Sequence, residues 1–287
     1  MSPLLRIRLL TGADLAFADS LRALAGWNQT LEDWRRFLTT EPEGCFLAEW
    51  NGAPAGTATT TLYGPALAWI GMVLVHPDFR RRGIGNSLLV HCIESLRQRG
   101  VRCIKLDATP LGQPVYEALG FQAEWTLRRW VGVAGREKFA AKSSKLRAWS
   151  SSDAELVAPL DTAAFGFARR RLLASLARQS SVALVLEGGG GAGKSFGMMR
   201  AGTTAQYLGP VVADSDDAGL ELIEALVTGG QATNIYWDIP DPNIAAVAWA
   251  QAHGFTVQRS LTRMFLGENL APGDPHQQFA LTGPETG

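Results

Sequence analysis

Met72-Val73-Leu74-Val75-His76-Pro77-Asp78-Phe79-Arg80-Arg81-Arg82-Gly83-Ile84-Gly85-Asn86-Ser87 is the stretch whose reading decides the fold. An apolar run ends at Val75, the chain turns through Pro77, and helical periodicity starts between two glycines. Ile84, Leu88, Leu89, Cys92, Ile93 and Leu96 recur on one face of that helix, and Gly100 follows it as a C-terminal stop. A strand–turn–helix of this kind presents unpaired backbone N–H groups at the helix start, where the peptide dipoles add partial positive charge. Gly83 and Gly85 carry no side chain that would hold a phosphate away. Arg80, Arg81 and Arg82 supply charge and planar donors. The segment therefore suits a pyrophosphate better than it suits a solvated charge run.

Outward from this stretch the chain alternates strands and helices. Upstream, residues 4–10 read as a strand and 13–25 and 31–39 as helices, the second capped by Thr30 with Asp33 in its first turn. Asn51-Gly52 between two apolar alternating runs is a hairpin signal. Ala66 to Val75 is a buried strand, too short for a bilayer span of about 20 residues. Downstream lie a strand at 101–107, a short helix at 114–119 closed by Gly120, and a strand-rich segment at 121–133. Residues 134–152, rich in Lys, Ser and Arg, read as a linker, after which the order partly repeats. Gly120-Phe121 matches Gly254-Phe255, and Leu127 and Arg129 match Leu261 and Arg263 at the same offset of 134. The chain reads as two copies of one mixed α/β unit.

Composition narrows the function classes. The 287 residues are 46% hydrophobic and 19% charged with a net charge of zero, which excludes general disorder and gives no global field for nucleic acid or an anionic membrane. Residues 1–145 hold 18 Lys and Arg against 13 Asp and Glu, while the remainder hold 9 against 14. A basic half suits a polyanionic ligand, and an acidic half attracts a cation such as an amine. Cys45, Cys92 and Cys103 form no CxxC pair and the histidines do not cluster, so reduced thiols in a cytoplasmic protein without a metal are expected. The first ten residues, with Arg6 and Arg8 inside the apolar run, do not read as a signal peptide.

The turn Arg80-x-x-Gly83-x-Gly85, with Tyr116-Glu117-Ala118-Leu119-Gly120-Phe121 downstream, resembles the GNAT superfamily of N-acetyltransferases. Leu106-Asp107-Ala108-Thr109 and Arg263-Met264-Phe265-Leu266-Gly267 resemble its tandem two-domain subgroup. The resemblance implies an α/β fold of two tandem domains, each a twisted mixed sheet flanked by helices. It implies an acetyltransferase domain at 1–138, a linker at 139–152, a degenerate copy at 153–270 and a flexible tail at 271–287. It also implies acetyl-CoA as co-substrate and a small-molecule primary amine as acceptor, attacked directly in a ternary complex. The donor would lie against Val73, Leu74 and Val75, on a strand splayed from its neighbour. Its pyrophosphate would meet Arg80, Arg81, Arg82, Gly83, Ile84, Gly85, Asn86 and Ser87. Tyr116 would protonate the leaving thiolate. Relatives often place a glutamate on the strand before the turn; residues 66–75 have no acidic group, so Asp107 is the expected base, with a water chain or an acidic group from the second half as alternatives. No nucleic-acid, membrane or metal partner is expected, and the protein would be a monomer or homodimer.

The second half carries Asp214-Ser215-Asp216-Asp217-Ala218-Gly219 where the first has its arginine–glycine turn, and Ala250 where the first has Tyr116. Acidic groups repel a pyrophosphate, so this copy is expected to be silent and to wall the acceptor pocket. Gly188-Gly189-Gly190-Gly191-Ala192-Gly193-Lys194-Ser195 satisfies the P-loop pattern Gly-x-x-x-x-Gly-Lys-Ser. A P-loop must open into a helix, whereas Phe196 to Gly202 reads as a short strand region, so an enlarged hairpin loop is expected. A P-loop nucleotide-binding protein and a non-catalytic CoA-sensing module are the competing readings.

Overall fold

Asn51 and Gly52 both adopt positive φ, 51° and 84°, and so close the hairpin the sequence signals. The computed structural model describes residues 4–133, 145–187, 194–228, 234–270 and 272–287. The first half runs β1 (Leu5–Leu9), α1 (Leu15–Leu24), α2 (Leu31–Thr40), β2 (Cys45–Trp50), β3 (Ala53–Leu62), β4 (Leu67–Val75), α3 (Ile84–Gln98), β5 (Cys103–Ala108), α4 (Gln113–Ala118) and β6 (Gln122–Val133). The second runs β7 (Leu146–Ala148), α5 (Asp153–Phe165), α6 (Arg170–Gln179), β8 (Ser180–Leu186), β9 (Ser195–Arg200), β10 (Gln206–Val212), α7 (Asp216–Thr228), β11 (Asn234–Pro240), α8 (Ile244–Ala252), β12 (Thr256–Gly267) and β13 (Gln278–Ala280).

Local chemistry accounts for these elements. The Thr30–Asp33 capping box starts α2. All six apolar positions expected on α3 are buried. The period-2 alternation of β2 sends Phe46 and Ala48 to the core under α3, and Cys45 and Leu47 to the core under α1 and α2. The single helix expected after Asp153 is two, because Gly166 turns left-handed (φ 99°) and stops α5. The described part of the expected linker contains a strand, β7, paired with β8. Arg147 on β7 bonds Asp153 and Glu187, as Arg8 on β1 bonds Asp14 and Glu49, so β7 repeats β1.

The two expected sheets merge into one of 13 strands, ordered β1-β2-β3-β4-β5-β12-β6-β11-β10-β9-β8-β7, with β13 on β10. Each half gives its last long strand to the other: β12 pairs β5, β6 pairs β11, and β12 and β6 pair each other. Two buried ion pairs lock the exchange. Arg263 on β12 donates Nε and Nη2 to the two oxygens of Asp107 on β5 at 2.9 and 3.0 Å. Arg129 on β6 does the same to Asp238 on β11 at 2.7 and 2.6 Å. Trp69 and Trp125 flank the Arg263 guanidinium at 4.6 and 4.2 Å.

The segment expected as a flexible tail is instead built into the molecule. β10 pairs β11 only through Leu208 and then departs, and β13 pairs β10 at Val211 and Val212. Backbone groups freed by that departure need partners, and the tail supplies them. Phe279 and Leu281 are buried, and Trp237 Nε1 donates to the Phe279 carbonyl at 2.9 Å.

Removing one member of a buried, hydrogen-bonded pair strands the other charge, at a cost of about 3–5 kcal/mol. Arg263→Ala is therefore expected to lower the unfolding free energy by about that amount, read from denaturant midpoints. A change within 0.5 kcal/mol of zero would show that the pair does not hold the exchanged strands.

Candidate active site

The β4–β5 ladder ends early. The parallel pairing covers Leu67 to Trp69, opposite Cys103 to Lys105, and the strands then splay. On the other side the β3–β4 register breaks between Thr57 and Thr59, and Met72 in the bulge takes a positive φ of 51°. A bulge frees backbone groups from the ladder and re-aims the strand. Thr57 Oγ1 donates to the Met72 carbonyl at 3.0 Å and pins the bulge from the buried side. The wedge expected from Val73 to Val75 thus has a physical origin: one strand edge without a neighbour and a bulge beside it.

At the mouth of this wedge Arg81 and Gly83 are both left-handed, φ 61° and 79°. This turn leads into α3, whose first helical hydrogen bond runs from the Ser87 amide to the Gly83 carbonyl at 3.0 Å. The amides of Ile84, Gly85 and Asn86 precede that bond and have no partner in the preceding turn of the helix. A cavity of about 310 Å³ opens here, lined by Val73, Val75, Arg80, Arg81, Gly83, Ile84, Gly85, Asn86 and Tyr116 among others. Leu74 can offer only its backbone, because its side chain points to the opposite face and is buried with Met72 under α1 and α2. Two other expected contacts lie elsewhere. The Arg82 guanidinium rests over the rings of Trp50 and Phe79 at 5.5 and 5.8 Å. Ser87 does not line the cavity.

A second cavity, of about 100 Å³, meets the first at Val73 and Tyr116. It is lined by β4 from Ile70 to Val73, by Asp107 and Thr109 beyond the splay, and by Trp27 and Gln29. Arg259, Leu261, Pro284 and Glu285 close it from the second half of the chain. The Tyr116 ring leans on Gly112, whose α-hydrogen leaves it room, and burial pushes the phenol up to about 12.

Asp107 does not fill the role expected of it. Its side chain is wholly buried and both oxygens accept from Arg263. Burial raises its pKa while the guanidinium opposes the rise. It anchors β12 instead of standing free as a proton acceptor. The other charged groups that line this cavity, Arg259 and Glu285, were not singled out in the sequence. Glu285 lies within the supposed tail and Arg259 in a strand exchanged from the other half. The Arg129/Arg263 match had marked only the repeat; that both arginines reach across to the other half is seen only in the fold.

The counterpart of the wedge in the second half is filled. β13 occupies the splay beside β10, and Phe279 sits against Gly219 so closely that a Cβ there would lie 2.4 Å from the ring. Gly219 stands at the offset of 134 from Gly85, so the ring covers the surface that is open in the first half. The P-loop reading fails on local structure. Gly188 to Gly193 lie outside the described residues, but Lys194 pairs with Glu187 at 2.9 Å and Ser195 opens β9, a strand where a P-loop requires a helix. Among the described residues no group of three or more His, Cys, Asp or Glu could hold a metal, and no helix is long and apolar enough to cross a membrane.

Comparison with known proteins gives the following. Residues 15–121 match the model of the acetyltransferase (GNAT) family, and residues 157–280 match that of an acetyltransferase (GNAT) domain. The uncharacterized N-acetyltransferase YitH of Bacillus subtilis is 27% identical over 165 residues, 58% of each chain. The [Ribosomal protein bS18]-alanine N-acetyltransferase of Salmonella typhimurium is 43% identical over 60 residues, 20% of this chain and 40% of that one. The chain thus spans only about two fifths to three fifths of the length of these relatives. A putative acetyltransferase from Pyrococcus horikoshii superposes with a TM-score of 0.85 at 25% identity, covering 99% of this chain and 96% of that one. A tandem GNAT protein from the clavulanic acid biosynthesis pathway shares the fold, with a TM-score of 0.66 at 16% identity over 92% of this chain and 98% of that one.

Tyr63 and Tyr207 are, like Tyr116, raised by burial, whereas the Tyr236 phenol is lowered by its hydrogen bond with Thr204. Ultraviolet titration is expected to show Tyr236 ionising first, with that signal absent in Tyr236→Phe. Loss of the earliest ionisation in Tyr116→Phe instead would contradict the buried setting of Tyr116.

Proposed function

The chain belongs to the GNAT family of acetyltransferases, and on that premise we propose that it transfers the acetyl group of acetyl-CoA to a primary amine by direct attack in a ternary complex. The observation that supports this most is the meeting of two cavities at Val73 and Tyr116. One offers free helix-start amides and arginines that fit a pyrophosphate, and the other offers a separate approach for an acceptor.

The free amides of Ile84 to Asn86, with Arg80 and Arg81, would hold the diphosphate. The exposed edge of β4 from Val73 to Val75 would hold the pantetheine arm by backbone hydrogen bonds. Acetyl-CoA supplies the activated thioester. A backbone N–H at the Met72–Val73 bulge would polarise the acetyl carbonyl, a preorganised stabilisation of developing negative charge. The neutral amine forms the new C–N bond, the C–S bond breaks, the phenol of Tyr116 gives its proton to the sulfur, and the proton shed by the new amide nitrogen restores the phenol. A phenol near 12 stays protonated at neutral pH, and so is available as the acid. A module that only sensed CoA would need no acid at the junction of the two cavities. Phe279 in the second wedge leads to a single donor site per chain.

Tyr116→Phe is expected to lower kcat by about 10²-fold or more while leaving the acetyl-CoA Kd within a factor of two; an unchanged kcat would remove the tyrosine from the mechanism. Gly83→Val forces a β-branched residue into left-handed backbone and is expected to weaken acetyl-CoA binding about tenfold or more in calorimetry. Wild-type protein should bind one acetyl-CoA per chain, and two would contradict the filled second wedge.

A further inference from the structure

We infer that the acceptor is a small zwitterion, an amine that also carries a carboxylate, with Arg259 receiving the carboxylate and Glu285 the ammonium. The inference rests on the acetyl-transfer reading of the same cavity and adds the class of acceptor. Both side chains line the second cavity. Neither has an oppositely charged group within ion-pair distance among the described residues, and the two do not pair with each other.

Arg259 is a half-buried arginine. Its Nε is buried and has no hydrogen-bond partner. Asp238, which attracts it, is already taken by two bonds from Arg129 and a third from the Tyr207 hydroxyl at 2.9 Å. Arg129 instead faces Arg259 as a like charge. Asp238 and Glu285 attract the guanidinium without pairing with it, so among the described residues no carboxylate bonds a cation that also faces a second cation, and an anion in the cavity would satisfy it. The direction of the side chain is built into the strand: the β12–β6 register shifts between Val257 and Arg259, and such a bulge turns the following residue.

Glu285 is the complementary end. It is 5% exposed, and its Oε2 accepts from Gln29 Nε2 at 2.7 Å. Its backbone lies against Gly71 on β4, where a Cβ would come within 2.5 Å of the Glu285 carbonyl. Burial raises its pKa, with Asp33 adding to the rise and Arg200 and Arg36 opposing it. A carboxylate so placed is suited to hold the ammonium and to take its proton before attack. Trp27, Leu261 and Pro284 give the cavity apolar wall beside the two charges. An amine without a carboxylate leaves Arg259 unsatisfied. A peptide N-terminus does the same, because its adjacent carbonyl is an uncharged amide.

The test is a thiol-release assay with acetyl-CoA and matched acceptors: free α- and β-amino acids, their decarboxylated amines, and peptides with the same first residue. The wild-type protein should favour the amino acids in kcat/KM. In Arg259→Gln the ratio of kcat/KM for an amino acid over its decarboxylated amine should fall at least tenfold, through KM. Arg259→Lys should restore part of it, and Glu285→Gln should lower kcat. Acetyl-CoA affinity serves as the check that each variant is folded. Preference for amines or peptides, or an unchanged ratio in Arg259→Gln, overturns the inference while leaving acetyl transfer intact. If no acceptor is acetylated, calorimetry with free amino acids in the presence of CoA separates the two readings. Binding lost in Arg259→Gln would keep the zwitterion site and remove acetyl transfer, and absence of binding would end the inference.

Discussion

The molecule depends on the reciprocal exchange of two strands, each fastened by a buried arginine that forks onto an aspartate of the other half. Because β12 lies against β5 and β6 against β11, neither half has a complete sheet without its partner. The four charges involved are nearly fully buried. A bidentate guanidinium–carboxylate pair fixes direction as well as distance, so a slip of one residue in either strand would strand two charges in the core. The bonds therefore fix the register of the four central strands β5, β12, β6 and β11.

Two wedges follow from the same architecture, and they have opposite fates. In both halves a parallel pair runs for three residues and then splays. The first wedge ends in a basic, glycine-bearing turn with free amides, and it remains open. The second ends in an acidic segment, and the chain fills it with Gln278 to Ala280. The filling strand does more than block a site. Beyond it, the Pro284 carbonyl accepts from Trp69 Nε1 at 2.9 Å and the Thr286 carbonyl from the Tyr63 hydroxyl at 2.6 Å. The same segment that closes the second wedge thus lays Glu285 along β4 of the first. The half whose wedge is filled contributes the charged wall of the cavity beside the open one.

A division of labour results. The cavity at the start of α3 is made largely of backbone: amides, a bulge, a strand edge, and glycine where left-handed geometry is required. The second cavity is walled by side chains from distant parts of the chain, Gln29 from before α2, Arg259 from β12 and Glu285 from after β13. In the proposed reaction, backbone recognition suits an invariant co-substrate, and a wall of side chains suits the choice of acceptor.

The sequence by itself determined the α/β class, the repeated unit, the elements of the first half, and the turn from Arg80 to Asn86. These are local properties: periodicity, turn residues and caps act within a few positions of each other. Tyr116 was legible for the same reason, since it lies one helical turn before Gly120-Phe121. Only the tertiary structure decided that the last strands cross over, that residues 278–287 are core rather than a loose end, and that Asp107 is consumed by Arg263. It alone placed Arg259 and Glu285 on one cavity. Those facts depend on which distant segments fill a gap in a sheet and which buried charge finds its partner, and contacts between residues more than a hundred positions apart leave no periodicity in the chain to be read.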